Sequence, residues 1–184
     1  MSGFLFPDNT VLCNFAAVDR LDLLRAALEG RGRWTAAVAN EAQSSAKWIP
    51  ALNALERHGW LGEAIRITRA EDIERVFDER SAVFGGTPER LLQHLGEAET
   101  LYIIKNWEGF AGSWWISDDR ESLRYAQRQG ITTAETVDMV RRAVAGGHIS
   151  AQDGFDLMKQ MWDANRRPRL PDSVTALKAQ RSPC

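Results

Sequence analysis

The sequence contains few cysteines and no long hydrophobic run. Its two cysteines, Cys13 and Cys184, form neither a metal-binding spacing nor a disulfide framework, which fits a protein of the reducing cytoplasm. No run of about 18 apolar residues is present, so a membrane-spanning helix is not expected. The apolar stretch at residues 4–6 is too short for a signal peptide and has no basic residue before it. We therefore expect a cytoplasmic protein that does not associate with membranes.

An excess of charge of either sign is also missing. The chain has 23 Lys and Arg residues against 25 Asp and Glu residues, which gives a net charge of −2 at pH 7. This balance excludes a basic field over the whole molecule, so a nucleic acid would have to bind through a local patch or through metal ions. Hydrophobic residues make up 44% and charged residues 26%, which is the composition of an ordered globular protein.

Short apolar strands alternate with amphipathic helices along the chain. Strands are predicted at residues 4–6, 64–68, 113–117 and 131–132. Helices are predicted at residues 11–17, 19–30, 35–47, 49–59, 70–84, 87–107, 121–129, 133–146 and 150–165. This alternation predicts an α/β protein, a three-layer α/β/α sandwich around a central parallel sheet. We expect the α/β domain to occupy residues 1–150, and a C-terminal helix with a basic tail to occupy residues 151–184.

Several helix starts and one helix face are marked in the sequence. A helix is expected to begin around Thr35, and Thr133 and Ser150 are expected to cap the helices that follow them. The long helix at 87–107 is expected to start at Thr87-Pro88. The side chains expected on its apolar face are Leu91, Leu92, Leu95, Ala98, Leu101 and Tyr102.

Acidic residues lie at or near the ends of several predicted elements. Asp8 follows the first strand, and Asp118 and Asp119 follow the strand at 113–117; Glu41 and Glu97 lie within helices. The carboxyl ends of parallel strands meet at one edge of a sheet, where Asp8 and Asp118 or Asp119 would come together. Clustered carboxylates repel one another unless a hard divalent cation such as Mg²⁺ or Mn²⁺ compensates them. The alternative is structural: Asp119 and Asp8 hold the turns that follow them, and Glu41 is a solvated helix residue.

Five segments, taken in order, resemble the motifs of PIN-domain nucleases. They are Phe-Pro-Asp8-Asn-Thr-Val-Leu, Asp19-Arg-Leu-Asp-Leu-Leu, Thr35-Ala-Ala-Val-Ala-Asn-Glu41-Ala, Gly96-Glu97-Ala98-Glu99 and Trp115-Ile116-Ser117-Asp118-Asp119-Arg120. The fourth segment is similar to the motif of the subgroup written gly-glu-ala-glu. The resemblance extends from residue 4 to about residue 150.

This resemblance implies a three-layer α/β/α fold and metal-dependent cleavage of single-stranded RNA. It places Asp8, Glu41, Glu97 and Asp118 or Asp119 in an acidic pocket. Asp8, Glu97, Asp118 and Asp119 are then the candidate ligands of Mg²⁺ or Mn²⁺. We prefer Glu97 to Glu99 because residues two apart on a helix point about 200° apart; Glu99 is expected on the side of Leu92, Leu95 and Ile103.

The resemblance also implies partners. Many bacterial PIN domains are VapC-like toxins that an antitoxin protein holds inactive, often as dimers, so an antitoxin and a homodimer are expected here. Two alternatives remain: a PIN-like binding or scaffold module without catalysis, and a phosphatase or nuclease that acts on DNA or a flap.

Arginines recur every four residues just after the paired acids. Arg120, Arg124 and Arg128 would form one stripe on a helix and could hold RNA phosphates. The alternative is a solvated face paired with nearby acids such as Glu121. A histidine is not needed by this chemistry, so His58, His94 and His148 are expected to be structural or solvated.

Overall fold

A three-stranded parallel sheet forms the centre of the protein. The computed structural model describes residues 3–85, 87–90 and 92–178. The strands are β1 (Leu5–Pro7), β2 (Trp114–Ile116) and β3 (Thr132–Ala134), and they lie in the order β1-β2-β3. In the register of the sheet, Leu5 lies opposite Trp114, which lies opposite Thr132. The predicted α/β class with a parallel sheet is confirmed.

Nine α-helices surround the sheet in the part of the chain described. They are α1 (Asn9–Ala16), α2 (Leu21–Leu28), α3 (Ala36–Ser45), α4 (Asn53–His58), α5 (Ala70–Val83), α6 (Leu95–Asn106), α7 (Arg120–Arg128), α8 (Thr136–Ala145) and α9 (Ala151–Asp163). Short 3-10 turns occur at Pro50–Leu52, Pro88–Arg90, Glu108–Phe110 and Thr175–Leu177. Among the described residues, none of these helices combines the length and the apolar character needed to cross a membrane.

The two faces of the sheet contact two different cores. Successive strand side chains point to opposite faces, so Leu5 and Ile116 enter one core while Phe6 and Trp115 enter the other. The first core also takes side chains from α1, α2, α3, α8 and α9. The second takes side chains from α6 and α7. Helices therefore cover both faces, and the predicted three-layer α/β/α arrangement is confirmed.

Polar side chains start several helices. Ser150 accepts a hydrogen bond from the backbone N–H of Asp153, as predicted, and Thr35, where a helix was expected to begin, accepts one from the backbone N–H of Val38. The prediction of Thr133 as the cap of α8 is wrong, because Thr133 is paired within β3. Glu135 caps α8 instead, in a reciprocal capping box with Asp138.

The strand predicted at residues 64–68 is also wrong. Ile65 makes a single parallel bridge with Thr35, in which its N–H donates to the Trp34 carbonyl at 3.0 Å and its carbonyl accepts from Ala36 at 2.8 Å. The backbone of the partner turns into α3 at Ala36, so no further strand pairing is available to residues 66–68.

The long helix predicted at residues 87–107 is divided in the structure. A 3-10 turn at Pro88–Arg90 is followed by a turn, and α6 begins only at Leu95. His94, directly before α6, has a φ of 61°, which is outside the right-handed helical region and interrupts the helix. Leu92 is 71% exposed rather than part of an apolar face, and Leu91 lies outside the described residues.

The described part of the predicted basic tail lies against the protein. Leu170, Val174 and Leu177 pack on the first core, to which α9 also contributes. The Arg141 side chain donates to the Ala176 carbonyl at 3.1 Å, and Arg169 forms an ion pair with Glu135 at 3.3 Å. Residues 179–184, with Arg181 and Cys184, lie outside the described residues.

Candidate active site

Asp8 lies at the carboxyl end of β1 and joins three elements. Its Oδ1 accepts a hydrogen bond from the backbone N–H of Val11 at 2.9 Å and thereby caps α1. Its Oδ2 accepts a hydrogen bond from the hydroxyl of Ser117, the residue after β2. Burial raises the pKa of Asp8 to about 7, and the negative charges of Asp118 and Glu97 act in the same direction.

Asp118 lies beyond the end of β2, and three donors hold its carboxylate. The backbone N–H of Thr136 donates to Oδ1 at 2.9 Å, and the Thr136 hydroxyl donates to Oδ2 at 2.7 Å. The side-chain amide of Asn14, on α1, also donates to Oδ2 at 2.7 Å. Burial raises the pKa of Asp118, although these hydrogen bonds oppose that effect.

Glu41 faces the crossing of α3 and α6, which is made close by Gly96. A Cβ atom on Gly96 would lie 3.0 Å from Glu41 Oε1 and 3.0 Å from Val38 Cγ2, so only glycine fits there without a shift. The Gly96 backbone acts to lower the pKa of the Glu41 carboxyl. Burial, together with the negative charges of Glu97 and Asp8, raises the pKa of Glu41 to about 8.

Glu97 and Glu99 have separate environments on α6. The negative charge of Glu97 contributes to the raised pKa of both Asp8 and Glu41. Its Oε1 lies 3.1 Å from Nδ1 of His94. Glu99 instead accepts a hydrogen bond from the backbone N–H of Ala37 at 2.9 Å, at the start of α3. The different orientations expected for residues two apart on a helix are therefore present.

Asp119 is exposed and caps α7. Its Oδ1 accepts hydrogen bonds from the backbone N–H groups of Glu121 at 2.9 Å and Ser122 at 3.3 Å. Its Oδ2 accepts from the Ser122 hydroxyl at 2.9 Å. This is the structural alternative weighed for Asp119, whereas Asp118 is the residue of the pair whose charge acts on Asp8.

Four carboxylates from four parts of the fold therefore influence one another: Asp8, Glu41, Glu97 and Asp118. Within the described ranges, Asp8, Glu41 and Asp118 form no ion pair with Lys, Arg or His. Across the same ranges, no three acids, histidines or cysteines already converge as a metal site. The set nevertheless offers the oxygen donors that Mg²⁺ and Mn²⁺ prefer, and so fits a divalent cation.

The arginine stripe connects two clefts beside these acids. A cleft of about 390 Å³ is lined by Asp118, Arg120, Trp162, Arg167 and Arg169, among others. A second cleft of about 510 Å³ is lined by His94, Arg124, Tyr125 and Arg128, among others. Asp119 and Glu121 line both clefts. The expected stripe is exposed on α7, and in the described chain its three arginines form no ion pair.

Sequence reasoning missed several residues that contact the acids. His94 was assigned no part, although its spacing of three residues from Glu97 on adjoining helical turns was a usable signal. Ser117 and Asn14 carry no such signal, because the acids they bond lie 109 and 104 positions away in the chain, and Thr136 lies 18 positions from Asp118.

Comparison with known proteins adds one finding. A family model described as a PIN domain matches residues 6–176, which includes both predicted parts of the chain. No curated protein and no solved structure matches the chain significantly.

Proposed function

The chain belongs to the PIN-domain family, and from that premise we propose that it is a metal-dependent endoribonuclease. It would cleave single-stranded RNA by hydrolysis of a phosphodiester bond, with Mg²⁺ or Mn²⁺ as cofactor. The observation that supports this most strongly is that Asp8, Glu41, Glu97 and Asp118 come together from separate elements: burial, reinforced by the neighbouring negative charges, raises the pKa of Asp8 to about 7 and of Glu41 to about 8. Acids held together at this cost, of which Asp8, Glu41 and Asp118 form no ion pair in the described chain, suit a cation-binding role.

Each carboxylate has a distinct part in this proposal. Asp8, Glu97 and Asp118 would ligate the cation, and Glu41 would add negative charge beside Glu97. A divalent ion bound there supplies a Lewis acid that lowers the pKa of water and stabilises charge on the phosphate. Asp119 would act through its cap on α7, which fixes the direction of the helix that carries the arginines.

The RNA backbone would follow the arginine stripe. Arg120 lines the cleft at Asp118, whereas Arg124 and Arg128 line the cleft at His94. Phosphates bound along α7 would therefore pass beside the acids that hold the cation. Contacts of this kind fix the position of a strand without reading its sequence.

The biological role is a further part of the proposal. The resemblance to VapC-like toxins supports a toxin that acts in the cytoplasm, is held inactive by an antitoxin protein, and forms a homodimer. Expression of the toxin alone would arrest growth, and co-expression of its antitoxin would restore it. Growth that continues unaffected on expression, while the purified protein cleaves RNA, would contradict the toxin role and leave the nuclease intact.

The direct test is cleavage of labelled single-stranded RNA in Mg²⁺, in Mn²⁺ and in EDTA. We expect cleavage with either metal and none in EDTA. Asp8→Asn should reduce the rate by about 100-fold or more, the loss typical when a group that stabilises transition-state charge is removed. Asparagine still caps helices, so this variant should fold.

Asp78→Asn is the matched control, because Asp78 is exposed on α5. It should cleave at the wild-type rate. Equal rates for Asp8→Asn and wild type would rule out the metal mechanism. Binding of RNA without cleavage in any metal would instead favour a binding module, and cleavage of DNA or a flap in place of RNA would favour a different nuclease.

A further inference from the structure

We infer that Arg166, in the segment after α9, is a positioning residue that orients Asp118 through the side chain of Asn14. The inference rests on the proposed function only for the role of Asp118 as a metal ligand. The contact itself is direct: Arg166 Nε donates to Asn14 Oδ1 at 3.1 Å, between residues 152 positions apart in the sequence.

Asn14 transmits this contact to the acid. Its side chain is 1% exposed and lies between Arg166 on one side and Asp118 and Thr136 on the other. Its Nδ2 group donates to Asp118 Oδ2 at 2.7 Å and to Thr136 Oγ1 at 3.0 Å. Both ends of the amide are thus occupied, and the side chain joins α1, the start of α8 and the C-terminal segment.

The chemistry of arginine sets the direction of the amide. A guanidinium carries only donors, so the Asn14 oxygen must face Arg166 and the Asn14 NH₂ group must face Asp118. The Thr136 hydroxyl accepts from that NH₂ group and donates its own proton to Asp118 Oδ2. The donors that reach Asp118 are therefore consistent with one another. The Arg166 guanidinium determines which end of the Asn14 amide faces the acid.

The fold holds Arg166 in place from both directions. Arg166 lies just beyond the end of α9, and its backbone N–H donates to the carbonyl of Met161 within that helix at 2.9 Å. Arg169, one turn of chain later, pairs with Glu135 at 3.3 Å, next to Thr136. Leu170 and Leu177 then pack on the first core. The C-terminal segment therefore contacts the support of Asp118 twice, at Asn14 and beside Thr136.

A ligand supported in this way loses metal affinity when the support is removed. Changes to residues that hydrogen-bond to a metal ligand typically reduce affinity by 10–100-fold. Removal of Arg166 leaves the buried Asn14 oxygen without its donor and frees the amide to reorient. We therefore expect weaker binding of the cation with the fold retained.

Two substitutions separate the hydrogen bond from the charge of Arg166. In Arg166→Gln, the side-chain NH₂ group lies the same number of bonds from the backbone as the arginine Nε, so the donor remains and the charge is lost. In Arg166→Met, a methyl group takes that place and both are lost. Arg25→Met is the matched control, because Arg25 is exposed on α2.

The first measurement is the Mn²⁺ concentration that gives half of the maximal rise in melting temperature, without RNA. Arg166→Met should need about tenfold more Mn²⁺ than wild type, whereas Arg166→Gln and Arg25→Met should stay within about threefold of it. Equal requirements for Arg166→Met and wild type would overturn the inference, and so would an equal loss in Arg166→Gln and Arg166→Met.

The second measurement needs no metal and tests positioning directly. In ¹⁵N-edited NMR spectra recorded in EDTA, the Asn14 side-chain amide, assigned by its absence in Asn14→Ala, should exchange slowly with water. Exchange should be at least about tenfold faster in Arg166→Met and unchanged in Arg166→Gln. If wild type does not bind Mn²⁺, the proposed function fails, and this measurement alone decides the inference; equal exchange in all variants would overturn it.

Discussion

Asp8 and Glu41 are held in surroundings that disfavour their ionised forms. Burial is the main cause for both, with a pKa of about 7 for Asp8 and about 8 for Glu41. The hydrogen bonds from Ser117 and Val11 to Asp8 only partly offset the effect of burial, and the neighbouring carboxylates add a smaller repulsion. A folded chain without a cation therefore carries an electrostatic cost at neutral pH, which a bound divalent ion would relieve.

The first prediction concerns the pH dependence of stability without metal. Both carboxyl groups have higher pKa values in the folded than in the unfolded chain, from 3.8 to about 7 for Asp8 and from 4.5 to about 8 for Glu41. The folded state binds these protons more tightly than the unfolded state does. The stability that protonation of Asp8 and Glu41 gives to the folded state is therefore complete at low pH and is lost as pH rises towards 7–8. In EDTA, the melting temperature should fall between pH 5.5 and 8.5, on the order of 5 °C or more.

Variants test which carboxyl groups cause the fall in melting temperature. Asp8→Asn should show a smaller fall in melting temperature, because one of the two titrating carboxyl groups has become a neutral amide. Asp78→Asn should follow the wild-type curve, since its side chain is exposed. Saturating Mg²⁺ or Mn²⁺ should flatten the wild-type curve. A melting temperature that rises from pH 5.5 to 8.5 in EDTA would contradict the raised pKa values.

At the scale of elements, the crossing of α3 and α6 brings Glu41 to Glu97. Gly96 permits it, and the Glu99 carboxylate fastens the same two helices by accepting from Ala37. Gly96 is therefore the residue of the Gly96-Glu97-Ala98-Glu99 segment that permits the close packing of α3 and α6. It allows two helices that carry acids to approach so closely that a Cβ at Gly96 would lie 3.0 Å from Glu41 Oε1.

The second prediction is that Gly96→Ala damages the site more than the fold. The new Cβ would meet Glu41 Oε1 and Val38 Cγ2 at 3.0 Å each, so α6 or Glu41 must move. We expect a loss of about 1–3 kcal/mol in the free energy of unfolding, as is typical of overpacking, measured by urea denaturation. We also expect a decrease of tenfold or more in the rate of RNA cleavage.

Gly109→Ala provides the comparison. A Cβ atom on Gly109 would meet nothing within 4 Å. Stability and cleavage should therefore stay close to wild type in this variant. Full cleavage by Gly96→Ala would show that the separation of α3 and α6 does not control the site.

Sequence patterns predicted most elements but not all of their boundaries. Local signals located β1, β2 and α3, because short apolar runs bounded by turn residues and the helix start near Thr35 involve only neighbouring residues. The segment from 87 to 94 misled the prediction, because its apolar residues continue a helical pattern that the positive φ of His94 interrupts. Buried Arg80 holds this segment through the carbonyls of Thr87, Arg90 and Gln93, which no local pattern reveals.

The candidate site was predictable only in part. Ordered motifs indicated the acids, and the structure gives Asp118 and Asp119 visibly different contacts. The supports of Asp118 could not be predicted, because Asn14 and Arg166 are ordinary polar residues whose partners are 104 and 152 positions distant. Such contacts depend on how the layers pack, and one sequence does not contain that information in a local form.

At the scale of the whole molecule, the first core extends from Leu5 to Leu177 and so joins the sheet to the C-terminal segment. Gly154 on α9 lets α8 approach, since a Cβ there would lie 3.1 Å from Val140 Cγ1, and Leu177 Cδ1 would lie at 3.4 Å on the same side. The family match to residues 6–176 extends over the same parts of the chain. The described C-terminal residues therefore share the core of the sheet.

The third prediction tests whether this segment contributes to a single folding unit. Leu177 is 1% exposed, so Leu177→Ala should lower the free energy of unfolding by about 2–5 kcal/mol, measured by urea denaturation with one cooperative transition. Leu92→Ala is the control, because Leu92 is 71% exposed, and it should change stability by less than about 0.5 kcal/mol. Equal stability of the two variants would mean that the segment folds apart from the core.

The span of the first core has a consequence for protein synthesis. N-terminal regions generally begin to fold first as a chain emerges from the ribosome, but this core needs side chains from both β1 and the residues around 177. A nascent chain halted before that point has made every acid of the site and still lacks the packing that fixes them. The complete first core can therefore form only once the residues around 177 have left the ribosome.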